Sequence, residues 1–183
     1  MIELSPEFQS ILKFEAYPTA PQIDGVWLHP LRKNRSENGW FMEYARITNS
    51  KTENTPTALE PRQISVSSAE AGRINAFHIH TKLEQNEIWT VIHGQLMVWL
   101  VDCRAVSPTT GVRRKVILSG EQPNQLYIPS GVAHGYKAGS KAATRLLPVS
   151  LIAFMCLGAI KPLAPIKPKD FITMSPDHHE AQL

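Results

Sequence analysis

Four residues in the middle of the chain have types and spacing that could do chemistry: His78, His80, Glu87 and His134. His78 and His80 sit two apart in Phe77-His78-Ile79-His80. Side chains on a strand alternate with a period of two, so on a continuous strand both imidazoles would project from one face while Phe77 and Ile79 face the other way. His134 follows the turn Pro129-Ser130-Gly131 and could return to that face. Three neutral imidazoles and a carboxylate suit Fe(II), Mn(II), Ni(II) or Zn(II), with one or two positions left open. The expectation is a divalent metal held by His78, His80, Glu87 and His134, and no organic cofactor. His29 and His93 read as ordinary surface or structural histidines, the latter because it stands in a turn beside Gly94. Asp177-His178-His179-Glu180 reads as a solvated end.

Positioning such a set requires strands that return repeatedly to one place. From Gln63 onward strand signals come close together: Gln63–Ser67, Ile74–His80, Glu87–Ile92, Gln95–Val101, Arg113–Leu118, Gln125–Ile128, His134–Lys137, Arg145–Leu147 and Val149–Leu157. Turn residues such as His93-Gly94 and Ser107-Pro108-Thr109-Thr110-Gly111 separate them. Short strands at roughly ten-residue spacing with glycine and proline turns predict an all-β sandwich or barrel. Upstream, the spacing of Phe8, Ile11, Leu12 and Phe14 predicts a short amphipathic helix over 5–15. Gly25–His29 and Trp40–Ile47 read as strands, the latter with Glu43 facing inward, while 32–39 and 49–61 read as polar loops. After Ile160 the prolines predict an extended tail on the surface.

The chain has 183 residues, enough for one sizeable core, and is expected to be one domain over 1–183 with its barrel at about 23–160. A net charge of +3 with scattered lysines and arginines argues against a nucleic-acid partner. Cys103 and Cys156 lie in apolar runs and read as small buried hydrophobes in a reducing compartment. The first residues lack a basic segment followed by an apolar one, and the apolar run Val149–Ile160 is shorter than the roughly 20 residues a bilayer span needs. No membrane partner is expected, and a cytoplasmic location follows.

The spacing His-x-His, Glu, six residues, Gly, then Pro-x-Gly-x-x-His resembles the two-part signature of metal-binding cupins. The gap from His80 to Glu87 is longer than that pattern has; Glu84 fits the gap to the histidines but not the distance to Gly94. Over most of its length the chain also resembles dTDP-4-dehydrorhamnose 3,5-epimerase, a cupin-type jelly-roll family. The resemblance rests on Ile23–Pro30, Gly39-Trp40-Phe41-Met42-Glu43, Ile74–His80, Val101-Asp102-Cys103-Arg104 with Ser107-Pro108-Thr109-Thr110-Gly111, and Tyr127–Gly135.

That resemblance implies a cupin jelly-roll β-barrel, a homodimer, and a sugar or nucleotide sugar as substrate. It implies proton abstraction beside a ketone, with return on the other face. His78 falls on the family's catalytic base and Asp170 on the aspartate that holds it. Glu43, Asn75 and Tyr136 are then candidates for substrate contact. Departures are specific: Glu87 stands where the family has lysine, no tyrosine lies near the acid position at Leu147, and Asn38 and Asn75 replace arginines. A carboxylate beside a developing enolate opposes it by Coulomb's law, whereas a divalent ion would restore positive charge. A metal on His78 would occupy the lone pair a base needs, so the two roles compete for that ring. Three functions are therefore carried forward: an epimerase or isomerase of this family, metal-assisted or not; a metal-dependent cupin of another class, such as a dioxygenase; and a non-catalytic sugar-binding cupin.

Overall fold

The computed structural model describes residues 4–13, 19–81, 84–139 and 149–158, the last of these as backbone only. One six-residue helix, α1 (Pro6–Ile11), opens it. It is shorter than the periodicity predicts and buries nothing; Phe8 and Ile11 are exposed. Among the described residues, strand β1 (Trp27–Pro30) pairs along one side only, which is why Pro30 is tolerated: an edge strand can lose a donor. The expected polar loop at 32–39 is instead a hairpin of β2 (Lys33–Ser36) and β3 (Gly39–Met42). Part of the second expected loop is another hairpin, β4 (Ile47–Thr48) and β5 (Lys51–Thr52). Its turn residues Asn49 and Ser50 take φ of 50° and 65°, as a tight two-residue turn demands.

The remaining strands build the body: β6 (Pro61–Glu70), β7 (Ile74–His78), β8 (Gln85–His93), β9 (Gln95–Asp102), β10 (Arg113–Ser119), β11 (Asn124–Ile128), β12 (Val132–Ala138) and β13 (Val149–Gly158). They form two antiparallel sheets, β1-β11-β8-β13-β6 and β10-β9-β12-β7. The core lies between them. Alternation on β9 sends Leu96, Val98 and Leu100 inward, against Val116 and Leu118 of β10 and Trp89, Val91, Leu126 and Ile128 of the facing sheet. This packing of two antiparallel sheets is the sandwich or barrel that the turn spacing predicts and the jelly roll that the family resemblance implies.

On the outer side of the five-stranded sheet the register places Trp27 opposite Tyr127 and Tyr127 opposite Ile88. Trp27 and Tyr127 stack with centroids 5.0 Å apart. Tyr44, Ala45 and Leu59 pack around the fully buried Ile88, held there by Gln125 Nε2 donating to Tyr44 O at 2.6 Å. Strand β8 is thus clamped on both faces, with Glu87 and Trp89 inside and Ile88 beneath this strap.

A second device fixes the turn that leads into β12. Asp102, at the inner end of β9, accepts five hydrogen bonds: from Arg104 N and Nε on Oδ1, and from Arg104 Nη2, Ser107 Oγ and Thr109 Oγ1 on Oδ2. Arg104 Nη2 also donates to Asp24 O, and Asp24 N donates to Thr109 Oγ1. The Val-Asp-x-Arg-x-x-Ser-Pro-Thr stretch is therefore a structural knot. Gly131 packs directly on it: φ is +80°, and a Cβ there would lie 2.6 Å from Arg104 Cγ. Cys103, expected buried, is exposed, because it follows the end of β9.

Candidate active site

Three elements bring the predicted residues together. Strand β12 carries His134, whose Cα partner on β7 is His78. Strand β8 carries Glu87, paired across to Ile128 on one side and Cys156 on the other. His80 lies beyond the end of β7, not on it: pairing with β12 stops at His78, so the two histidines do not share one strand face as the spacing predicts.

His80, Glu87 and His134 each offer one ligand atom, and these atoms lie within 4.8 Å of one another. His80 Nε2 is 2.8 Å from Glu87 Oε1, and His134 Nε2 is 3.5 Å from Glu87 Oε2. Gln85 Nε2 donates to Oε1 at 3.2 Å and Trp89 Nε1 to Oε2 at 2.6 Å. The Trp89 ring meets His134 edge-on at 5.0 Å and Tyr136 edge-on at 5.9 Å. Glu87 and His134 are buried; the His80 side chain is 30% exposed, so the cluster opens on that side. Glu84 is exposed and stands apart from the group, which leaves Glu87 as the carboxylate that joins the histidines.

His78 belongs to a different contact. Its ring lies 6.1 Å from that of His134, and its Nε2 is 2.9 Å from Asn75 Oδ1. Residues three apart on a regular strand face opposite ways. Here the register shifts: two residues along β12, His134 to Tyr136, span three along β7, His78 to Asn75. This bulge returns Asn75 to the side of His78, as bulges near active sites do when they re-aim a side chain.

Charge follows burial and partners. Burial works to raise the Glu87 carboxyl, but the hydrogen bond from His80, the proximity of His134 and His80 and the Trp89 indole outweigh it and hold it at about 2. Burial pushes His134 below the ordinary imidazole value, with Glu87 and the Val132 carbonyl only partly offsetting it. Burial lowers His78 likewise, against the attraction of Glu87. The site thus holds an ionised carboxylate beside two rings, His134 and His78, whose burial favours the neutral form.

The other predicted site residues lie elsewhere. Tyr136 is a core residue, 5% exposed. Glu43 does not face inward; it accepts from Arg46 Nη2 and Asn54 Nδ2 and, with His29, Arg32, Asn34 and Phe41, lines a cleft of about 340 Å³. None of the site histidines lines that cleft. His29 reads as ordinary in the sequence, and only its place beside Pro30 and the aromatic hairpin could have pointed to it. Asp170, the region of Leu147, the expected tail and residues 177–180 lie outside the described residues.

A jelly-roll barrel with histidines and a carboxylate converging between its sheets defines a cupin-type protein. Residues 20–152 match the dTDP-4-dehydrorhamnose 3,5-epimerase family, and the chain belongs to it, as its motifs predict. The spore coat polysaccharide biosynthesis protein SpsL of Bacillus subtilis is 36% identical over 115 residues, 63% of this chain and 71% of that protein. The dTDP-4-dehydrorhamnose 3,5-epimerase of Methanothermobacter thermautotrophicus is 30% identical over 118 residues, 63% of this chain and 62% of its own length. The crystal structure of dTDP-6-deoxy-D-glucose-3,5-epimerase from Legionella pneumophila, in complex with dTDP-4-keto-L-rhamnose, superposes with a TM-score of 0.61 at 27% identity, covering 78% of this chain and 72% of that one. No helix among the described residues is long and apolar enough to cross a membrane.

Proposed function

We propose that the protein is an epimerase acting on a 4-keto sugar carried by a nucleoside diphosphate, with His78 as the base. The family match is the observation that carries this: it spans the strand bearing His78 and the Pro129–Gly135 turn and strand bearing His134. It favours an epimerase over a metal cupin of another class and over a non-catalytic binding module. A carbon beside the ketone gives its proton to His78, the C–H electron pair moves toward the carbonyl oxygen as an enolate, and a proton returns on the opposite face. No electron is gained or lost overall.

The local chemistry suits this role. His78 is half-buried and biased toward its neutral, proton-accepting form. Asn75 holds the ring through Nε2, and that contact must open if Nε2 is the atom that reacts. Asp170 keeps the orienting role its family position implies. The protein works as a homodimer; β6 is the edge of its sheet and exposes Ile64 and Val66, an apolar margin suited to pairing with a second copy. Light scattering at twice the chain mass checks this assembly, and a monomer at assay concentration contradicts it.

The test of the reaction is solvent deuterium exchange into a dTDP-4-keto-6-deoxyhexose, read by mass spectrometry. Wild type incorporates deuterium beside the ketone; His78→Asn loses roughly 10²–10⁴-fold in rate, the usual weight of a general base. No exchange by wild type, with or without added divalent ions, removes the proposal.

A further inference from the structure

We propose that His80 Nε2, the Glu87 carboxylate and His134 Nε2 form a site for one divalent transition-metal ion, with His78 outside it. The inference deepens the epimerase reading, on which the ion's catalytic role rests, although binding itself can be measured without substrate.

The argument begins with His134. The ring is 2% exposed, and its Nδ1 lies 3.0 Å from Val132 O. A carbonyl oxygen only accepts, so Nδ1 carries the hydrogen, and in the neutral ring the lone pair sits on Nε2. That Nε2 faces Glu87 Oε2 at 3.5 Å. Oε2 is itself an acceptor, already taking the Trp89 indole hydrogen at 2.6 Å. In that neutral tautomer two electron-rich atoms point at one another in the protein interior, an arrangement that a cation between them resolves. Fixing a histidine's tautomer through its other nitrogen is also what surrounding groups do for metal-bound imidazoles.

The spacing agrees. Metal–nitrogen and metal–oxygen bonds of about 2.1 Å at right angles separate adjacent ligand atoms by about 3.0 Å. The two ligand-to-ligand distances onto Glu87, 2.8 and 3.5 Å, bracket that value. Two imidazoles and one carboxylate on one side of an ion leave positions open for water or substrate, the donor set of many Fe(II) sites and acceptable to Mn(II), Ni(II) or Zn(II). His78 is excluded by geometry: neither of its ring nitrogens belongs to the group of ligand atoms that lie within 4.8 Å of one another, and its Nε2 is engaged with Asn75. The competition between holding a proton and holding an ion is thereby divided between neighbours. The ion also answers the charge problem at Glu87, supplying positive charge on the side where the family resemblance places a lysine.

Chelator-stripped protein titrated with Zn(II) by calorimetry, and with Co(II) by visible absorption, tests the site. Wild type should bind one equivalent of each. Glu87→Gln and His80→Gln should each weaken binding by at least about 100-fold, and His78→Asn should bind within about threefold of wild type. Thermal melts of the stripped variants identify any that fail to fold; His80, partly exposed and outside the strands, is the change least able to disturb the barrel. Absence of stoichiometric binding by wild type overturns the proposal. So does loss of binding in His78→Asn, or unchanged binding in both Glu87→Gln and His80→Gln. Full exchange activity in metal-stripped wild type removes the ion's catalytic role while leaving the epimerase reading standing; stoichiometric binding without any exchange does the reverse.

Discussion

Glu87 and Asp102 are carboxylates buried in the same barrel, and their surroundings are built on opposite plans. Asp102 accepts five hydrogen bonds, three from the Arg104 backbone and guanidinium and two from hydroxyls, and its charge is matched by that guanidinium. The Arg104 hydrogen bond, reinforced by Ser107 and Thr109 against the effect of burial, holds its carboxyl far below the usual range. Glu87 takes donors from Trp89 and Gln85 but also faces the lone-pair side of His134. The first is a closed knot whose product is rigidity. The second leaves a carboxylate oxygen and a buried ring nitrogen facing one another, the opening on which the proposed ion site rests.

Replacing each carboxylate by its amide separates the two plans most sharply. Asp102→Asn strips the charge from a side chain with no exposed surface and leaves Arg104 without its counter-ion, costing roughly 3–5 kcal/mol. Glu87→Gln, in metal-stripped protein, gives up charge-assisted bonds but removes the clash with His134, and should cost about 1 kcal/mol or less. Urea melts of both variants measure the contrast; equal losses would erase it. The same melts across pH give the sign. The folded-state value of Asp102 is depressed, so its contribution is fully present above the unfolded carboxylate value of about 4 and is lost as pH falls below that toward the folded value. Wild type should therefore lose stability more steeply than Asp102→Asn below about pH 4. Gly131→Ala tests the knot from its other side: it meets both a left-handed φ and Arg104 Cγ, and should cost about 1–2 kcal/mol in the same melts, between the two carboxylate changes.

Much of the barrel was legible because glycine and proline turns sit between alternating runs whose inward residues are apolar, as on β9. Strand β2 was not, because Lys33-Asn34-Arg35-Ser36 buries no face and so leaves no alternation to read; it exists through its hydrogen bonds to β3, most of which falls in the strand expected from Trp40. The site was half legible. Residue types and spacing named His80, Glu87 and His134, and because β7 ends at His78 the longer gap before Glu87 does not have to fit one continuous strand. The position of His78 relative to Asn75 could not be read, because a bulge changes facing without changing any residue type. The facing of Glu43 was illegible for a related reason: β3 ends at Met42, so alternation cannot be carried across to it.

The extra residue in β7 has a consequence for how such a protein can diverge. Ala76 and Phe77 lie between Asn75 and His78, and it is the bulge at this step, not the chemistry of the two residues, that sets which side chain meets His78. Straightening the bulge without changing any residue would leave Asn75 and His78 three apart on a regular strand and turn Asn75 away, whereas deleting one residue would keep both on one face. A change of register, invisible to a comparison of residue types, is thus a route by which such a chain can alter what stands beside His78.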